Sequence, residues 1–278
     1  FTADSVRDFT WTTSNIQRWD ATSALVPDRD DDGEDDRVLI HSFWRPDRAP
    51  LWTQQWLYAK QSIEHHSAYT GYSYPWPHMT SVEGADIING GMEFPMLTLI
   101  GPYEGGEAQA LFSVTSHELA HMWIPMVVGS NEKRHAWMDE GFNTFVNHYS
   151  LEDFYGDKEH KPDVPKYDAT KFKDQRIAMN TPPDLLQSRR HLSYRKPGYG
   201  MRFLREEIIG ADRFDAAFRT YVHRWAFKSP RPADFYRTME DASGMDLQWF
   251  FRGFMEESRQ LDQAINNVYQ EQVDEKWK

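Results

Sequence analysis

The chain has 278 residues, with 31 basic and 43 acidic side chains and a formal net charge of −12. That length admits one large domain with a sizeable core. The acidic balance argues against nucleic acid or an anionic membrane surface as a partner. Cysteine is absent, which excludes disulfides, thiolate metal ligation and thiol catalysis. No apolar stretch approaches the length of a transmembrane span and no signal peptide is visible. The chain is therefore expected to be soluble. Its compartment stays open, with export to the periplasm or the extracellular space among the options. Phe1 is not an initiator methionine, so the chain is expected to begin inside a longer product or after processing.

In chain order, Val6 to Thr12 and Val38 to Trp44 have the alternation and β-branched or aromatic content of strands. Between them lies an acidic run from Asp28 to Asp36 that imitates the start of a calcium loop. Position twelve of such a loop is Leu39 instead of Glu, so a solvated hairpin loop is the better reading. Leu51 to Tyr69 reads as a helix stopped by Gly71, Tyr72 to Pro77 as irregular, and Ile87 to Leu99 as strands around Gly90-Gly91. Ala108 to Val128 is a helical run with Leu111, Val114, Leu119 and Met122 as apolar positions, ended or kinked at Pro125. A second helix opens near Glu140. Tyr155 to Tyr167 is charged and punctuated by Gly and Pro, hence a surface loop. Gly200 to Ile209, Asp212 to Phe227, Pro232 to Ala242 and Leu247 to Val268 read as amphipathic helices. Asp212, Pro232 and Asp246 mark starts, and Gly210 and Gly244 mark stops. The expected fold is α+β, mostly helical, with a small mixed sheet near the N-terminal side.

The chemistry is concentrated in His117-Glu118-Leu119-Ala120-His121. Residues four apart share one face of a helix, so both imidazoles can point at one ion. Eighteen residues separate His121 from Glu140, a candidate third ligand. Two histidines and one carboxylate suit zinc, one ion per chain, and leave one coordination position open. Glu118, beside the first ligand, is placed to act as general base. If the two helices pack antiparallel, Glu140 reaches the ion.

Four stretches make the chain resemble the catalytic domain of M1-type aminopeptidases, zinc gluzincins related to thermolysin. They are Gly90-Gly-Met-Glu-Phe-Pro95, His117-Glu-Leu-Ala-His-Met-Trp123, Trp137-Met-Asp-Glu-Gly-Phe142 and Tyr194-Arg-Lys-Pro-Gly198. Val6-Arg-Asp-Phe-Thr-Trp11 looks like the junction at which that family's catalytic domain begins. The resemblance implies a thermolysin-like zinc peptidase domain over residues 1–278, with the family's preceding β-rich domain outside the chain. It implies Tyr194 as the donor that stabilises the oxyanion, with Tyr199 as local competitor. It also implies a substrate edge at Gly90, Gly91, Met92 and Glu93, where the Glu93 carboxylate binds the α-ammonium of a peptide. The glycines would let a peptide backbone come close. Departures from the family pattern are Phe94, Met122, His135, Asp139 and the added Pro197. His65, His66, His148 and His191 lack ligand spacing and read as ordinary surface or satisfied side chains.

The resulting expectation is a zinc-dependent aminopeptidase that removes N-terminal residues from peptides. Two alternatives are a gluzincin endopeptidase and a non-catalytic peptide-binding module on the same scaffold. Glu93 speaks against the first and the presence of a general base against the second.

Overall fold

The computed structural model describes residues 3–84, 86–156, 177–186 and 190–258, and the backbone of 272–273 and 276–277. Strands β1 (Arg18–Val26) and β2 (Asp36–Trp44) form an antiparallel hairpin. The acidic run is its loop. There Asp28 accepts the amides of Asp30, Asp31 and Gly33. The Gly33 bond is the largest cause of its lowered carboxyl pKa.

The strand expected at Val6–Thr12 does not form. That segment is held by long-range contacts of other kinds. Trp76 Nε1 donates to Asp4 O at 3.0 Å, and Arg7 pairs with Glu132 at 2.7 Å. A strand needs a partner edge as well as strand composition, and β1 occupies that edge of β2. The polar residues Asp20, Thr22 and Ser23 hide β1 in the sequence.

Helix α1 (Gln55–Thr70) stops at Gly71, whose φ of 67° is the left-handed conformation glycine tolerates. It makes the crossover from β2 to the parallel strand β3 (His78–Glu83), a strand the sequence reading did not anticipate. Strands β4 (Gly91–Phe94) and β5 (Leu97–Ile100) follow as expected. The sheet order is β1-β2-β3-β5-β4, which leaves β4 at an edge with no further strand among the described residues.

Helix α2 (Ala108–Ala120) passes into a wide turn, Met122–Val127, where Ile124 is extended (φ −135°, ψ 109°) ahead of Pro125. The expected break at Pro125 is therefore present, because the ring disfavours a helical residue before it. The second run consists of α3 (Glu132–Ala136), a wide turn at Trp137–Gly141, and α4 (Phe142–Tyr155). It packs antiparallel to α2. Phe112 stacks on Phe154 at 4.3 Å, Asn147 Nδ2 donates to Ser113 O, and His117 meets Glu140.

A wide turn at Arg190–Arg195 leads into α5 (Lys196–Phe203) and a further wide turn, Leu204–Ile209. The helical run expected from Gly200 thus begins already at Arg190. Pro197 is the second residue of α5. Helices α6 (Ala211–Trp225) and α7 (Pro232–Ser243) match expectation, and α7 ends at Gly244 with φ 67°. The last expected helix is seen from Gln248 to Glu256. Its remainder, and most of the loop expected at Tyr155–Tyr167, lie outside the described residues.

The main core lies between sheet and helices. It joins Ile40 and Met79 to Leu119, Trp123, Phe142, Phe145, Tyr221 and Phe235. A smaller cluster of Trp52, Tyr58, Leu111 and Phe112 packs α1 to the start of α2. Aromatic rings supply much of this packing, each burying a large apolar area. The core thereby fixes α2 against α4, and with them the site.

Candidate active site

His117 and His121 lie on one face of the end of α2, and Glu140 faces them from the turn before α4. The nitrogen atoms His117 Nε2 and His121 Nε2 are 3.3 Å apart. Glu140 Oε2 is 3.1 Å from the first and 3.5 Å from the second. Ligand atoms about 2.0–2.1 Å from a tetrahedral zinc are separated by about 3.3 Å. These three atoms therefore fit a zinc-sized ion, and the residues could hold one. Burial works to raise the Glu140 carboxyl pKa, but the hydrogen bonds from both imidazoles outweigh it and hold Glu140 ionised.

Glu118 points to the same place. It is 5 % exposed, and its Oε2 has no hydrogen-bond partner among the described residues. Burial raises its pKa to about 8; the His121 charge opposes this, and Glu93 and Glu140 add to it. An unpaired carboxylate oxygen in a buried setting is costly unless a ligand or water completes it. Gly91 makes room for this side chain, since a Cβ there would lie 2.1 Å from Glu118 Cδ. The expectation that Gly91 serves only to clear a strand edge is thus incomplete. Gly90, by contrast, has open space around it. Glu93, on the edge strand β4, has an oxygen within 4.8 Å of Glu118 and His121. Met92 is 41 % exposed beside it.

Asp139 and Asn143 complete the site and were missed as functional positions in the sequence. Asp139 Oδ1 lies 2.8 Å from His121 Nδ1, and Asn143 Nδ2 lies 2.7 Å from that same nitrogen. Asn143 also donates to Ile124 O and to Asp139. A carboxylate on the far nitrogen of a ligating histidine fixes ring orientation and raises its basicity. The signal was an acidic residue beside Glu140, but reading it requires the fold. Met122, another departure from the family pattern, is buried with its sulfur 3.4 Å from the Met96 amide. It therefore ties the end of α2 to the sheet.

The two tyrosines separate clearly. Tyr194 hydroxyl donates to Glu140 Oε1 at 2.6 Å, and its ring stacks near His117 at 5.8 Å. Burial and then the Glu140 charge raise its pKa, so it stays a protonated donor. Tyr199 lies farther along α5 and stacks on Phe203 at 6.2 Å. Both line a cavity of about 1120 Å³ that also contains Glu93, His117, Glu118, His121 and Glu140. His148 and His191 line it too, and His148 pairs with Glu152 at 3.0 Å. His66 is wholly buried beneath the site, with Nε2 donating to Ser116 O at 2.9 Å.

This fold, with a His-Glu-x-x-His helix crossed by a glutamate-bearing helix over a deep cavity, defines a metallopeptidase domain. Residues 57–254 match the Peptidase family M1 domain, and the chain belongs to peptidase family M1. Aminopeptidase M1-A of Oryza sativa subsp. japonica is 25% identical over 193 residues, 63% of this chain and 22% of that protein. Glutamyl aminopeptidase of Homo sapiens is 24% identical over 227 residues, 75% of this chain and 23% of that protein. The solved structure of Legionella pneumophila aminopeptidase A, in complex with aspartic acid, has the same fold. It aligns with a TM-score of 0.68 at 16% identity and covers 87% of this chain and 28% of that one. The chain thus spans less than a quarter of the length of these two curated relatives. No helix among the described residues is long and apolar enough to cross a membrane.

Proposed function

We propose that residues 1–278 act as one catalytic unit, a zinc-dependent aminopeptidase that hydrolyses the N-terminal peptide bond of peptides. The observation that carries this reading is the position of Glu93. Its carboxylate has an oxygen within 4.8 Å of Glu118 and His121, which supports a role in pairing with the α-ammonium of a peptide whose first carbonyl reaches the metal position. An endopeptidase has no use for a charge there.

His117, His121 and Glu140 would hold a zinc ion, which would polarise the scissile carbonyl as a Lewis acid and make a nearby water more acidic. Glu118 Oε2 takes the proton of the attacking water and delivers it to the leaving nitrogen. The Tyr194 hydroxyl, at the Glu140 edge of the site, donates to the oxyanion as charge develops. Glu93 holds the ammonium and so fixes which carbonyl is presented. Asp139 and Asn143 keep the His121 ring in place.

The test compares free and N-acetylated peptides on the native protein and on Glu93→Ala. We expect Glu93→Ala to lower kcat/KM for the free amine by roughly a hundredfold with metal content unchanged. Acetylation should cause a similar loss, and the two should not add, because both delete one interaction. Equal cleavage of free and acetylated peptides, indifferent to Glu93→Ala, would favour the endopeptidase instead.

A further inference from the structure

Glu93, Glu132 and Asp139 meet although they come from three elements: the edge strand β4, the first residue of α3 and the wide turn before α4. One carboxylate oxygen from each lies within 4.8 Å of the other two. Like charges this close repel, so the group needs cations to balance it. Among the described residues that balance is incomplete. Asp139 is tied to His121 through Oδ1, and the same atom accepts Asn143. Its Oδ2 has no partner among those residues, although Asp139 is only 2 % exposed. Glu132 is paired with Arg7. Glu93 makes neither a hydrogen bond nor an ion pair with a described residue.

The spacing suits an ammonium group. Such a group has three donors at tetrahedral angles, and hydrogen bonds of about 2.8 Å put their acceptors about 4.6 Å apart. Three oxygens within 4.8 Å of one another can therefore share one ammonium nitrogen. Glu93 joins this group to the catalytic residues, because it also has an oxygen within 4.8 Å of Glu118 and His121. In a peptide the α-ammonium and the first carbonyl share one α-carbon, so a nitrogen held beside Glu93 keeps that carbonyl near the metal position. The Arg7–Glu132 pair is 40 % and 37 % exposed, and an ion pair so exposed adds little to stability. Its effect is positional. Arg7 Nη1 holds Glu132 Oε1 at 2.7 Å and lies 3.5 Å from Pro125 O in the wide turn after α2. Arg7 thereby steadies Glu132 while leaving Glu93 free for another cation.

We propose that Glu132 is a second carboxylate for the α-ammonium of the substrate, shared with Glu93 beside the buried Asp139, and that Arg7 is a positioning residue that holds Glu132 in place. This rests on the aminopeptidase reading for the identity of the cation. The segment ahead of β1 thereby contributes to substrate recognition.

The experiment measures binding of L-alaninol, N-acetyl-L-alaninol and N-acetyl-L-lysinamide by ligand-observed NMR titration, and KM and kcat for Ala-Ala-Ala. The proteins are native, Glu132→Gln, Arg7→Gln and Arg7→Lys, each with its metal content measured. Alaninol should bind the native protein on the order of tenfold more tightly than its acetylated form. Glu132→Gln should remove most of that advantage and leave N-acetyl-alaninol binding unchanged. It should raise KM for Ala-Ala-Ala roughly tenfold with little change in kcat or metal content. Arg7→Gln should weaken alaninol in the same direction by less, and Arg7→Lys should restore it. Alaninol binding that is indifferent to Glu132→Gln overturns the proposal, as does an equal loss for the acetylated form. Tighter binding of N-acetyl-lysinamide than of alaninol also overturns it, because the carboxylates would then serve a side chain. Native-like binding by Arg7→Gln removes Arg7 from its role. If no peptide is cleaved, the aminopeptidase reading fails by itself, and the titration still decides the ammonium site, since it needs binding alone.

Discussion

Pro197 packs against the backbone of Gly141 so closely that a Cβ on Gly141 would lie 2.5 Å from the proline ring carbons. One residue of this pair follows Glu140 and the other begins the helix that carries Tyr194 on its N-terminal side. The contact therefore sets the distance between a candidate ligand and a candidate catalytic hydroxyl. Gly141→Ala should push α5 away from α4. We expect kcat to fall roughly tenfold or more with metal content retained, since a small misplacement of a catalytic group is costly. Unchanged kcat with a normal melting temperature would show that the helices absorb the methyl group without moving Tyr194.

Asp139→Asn removes the negative charge from the far side of His121 while keeping a side chain of the same shape. Metal affinity should drop about 10–100-fold, as for other partners of ligating histidines. Competition with a chelator of known affinity measures it. Asn143→Ala should act in the same direction, and equal affinity in both variants and the native protein would remove these residues from that role.

Glu118→Gln should keep the metal and the fold but lose the proton acceptor. Turnover should fall on the order of a hundredfold or more. The side chain fills the space above Gly91, so Gln, which is nearly isosteric, is the informative substitution. Near-native turnover would exclude Glu118 as base.

Tyr194→Phe should lower kcat with little change in KM, because an oxyanion exists only in the transition state. Tyr199→Phe should leave kcat within about twofold, since its ring stacks on Phe203 and the hydroxyl that donates to Glu140 is that of Tyr194. The reverse pattern would exchange their roles.

His66 predicts a pH effect on stability. Burial, then the charges of His65 and His117, hold its pKa well below the ordinary 6.5. Above about pH 6.5 both folded and unfolded states carry a neutral ring, and stability is unaffected. Below it the unfolded chain binds a proton that the folded protein refuses, so stability falls as pH drops from 6.5 toward the folded pKa. The limiting slope is about 1.4 kcal/mol per pH unit. His65, also lowered by burial, adds in the same direction. Melting curves from pH 7.5 to 5 should show a shallower acid loss for His66→Gln than for the native protein. Parallel curves would assign the loss to other groups.

How much of this was legible in the residues depends on the range of the interaction. Gly71 and Gly244 stop helices, and Pro125 breaks one, because backbone freedom and proline sterics act within a turn. The spacing of His117 and His121 is equally local: four residues on a helix bring two rings to one side whatever surrounds them. Hence the ligand candidates, the general base and the mostly helical α+β character could be read directly. The tertiary structure alone decided the rest. Strand composition at Val6–Thr12 came to nothing because the edge of β2 went to β1. Tyr194 was preferred to Tyr199 only through the family resemblance, and it is the packing of α5 on Gly141 and Thr144 that sets the Tyr194 hydroxyl against Glu140. Asp139 looked like a small variation until the fold set it against His121, eighteen positions earlier. Gly91 looked like an open strand edge until Glu118 was found in the space a side chain would need. Such contacts join residues far apart in the chain, and their partners are chosen by the packing of the whole core.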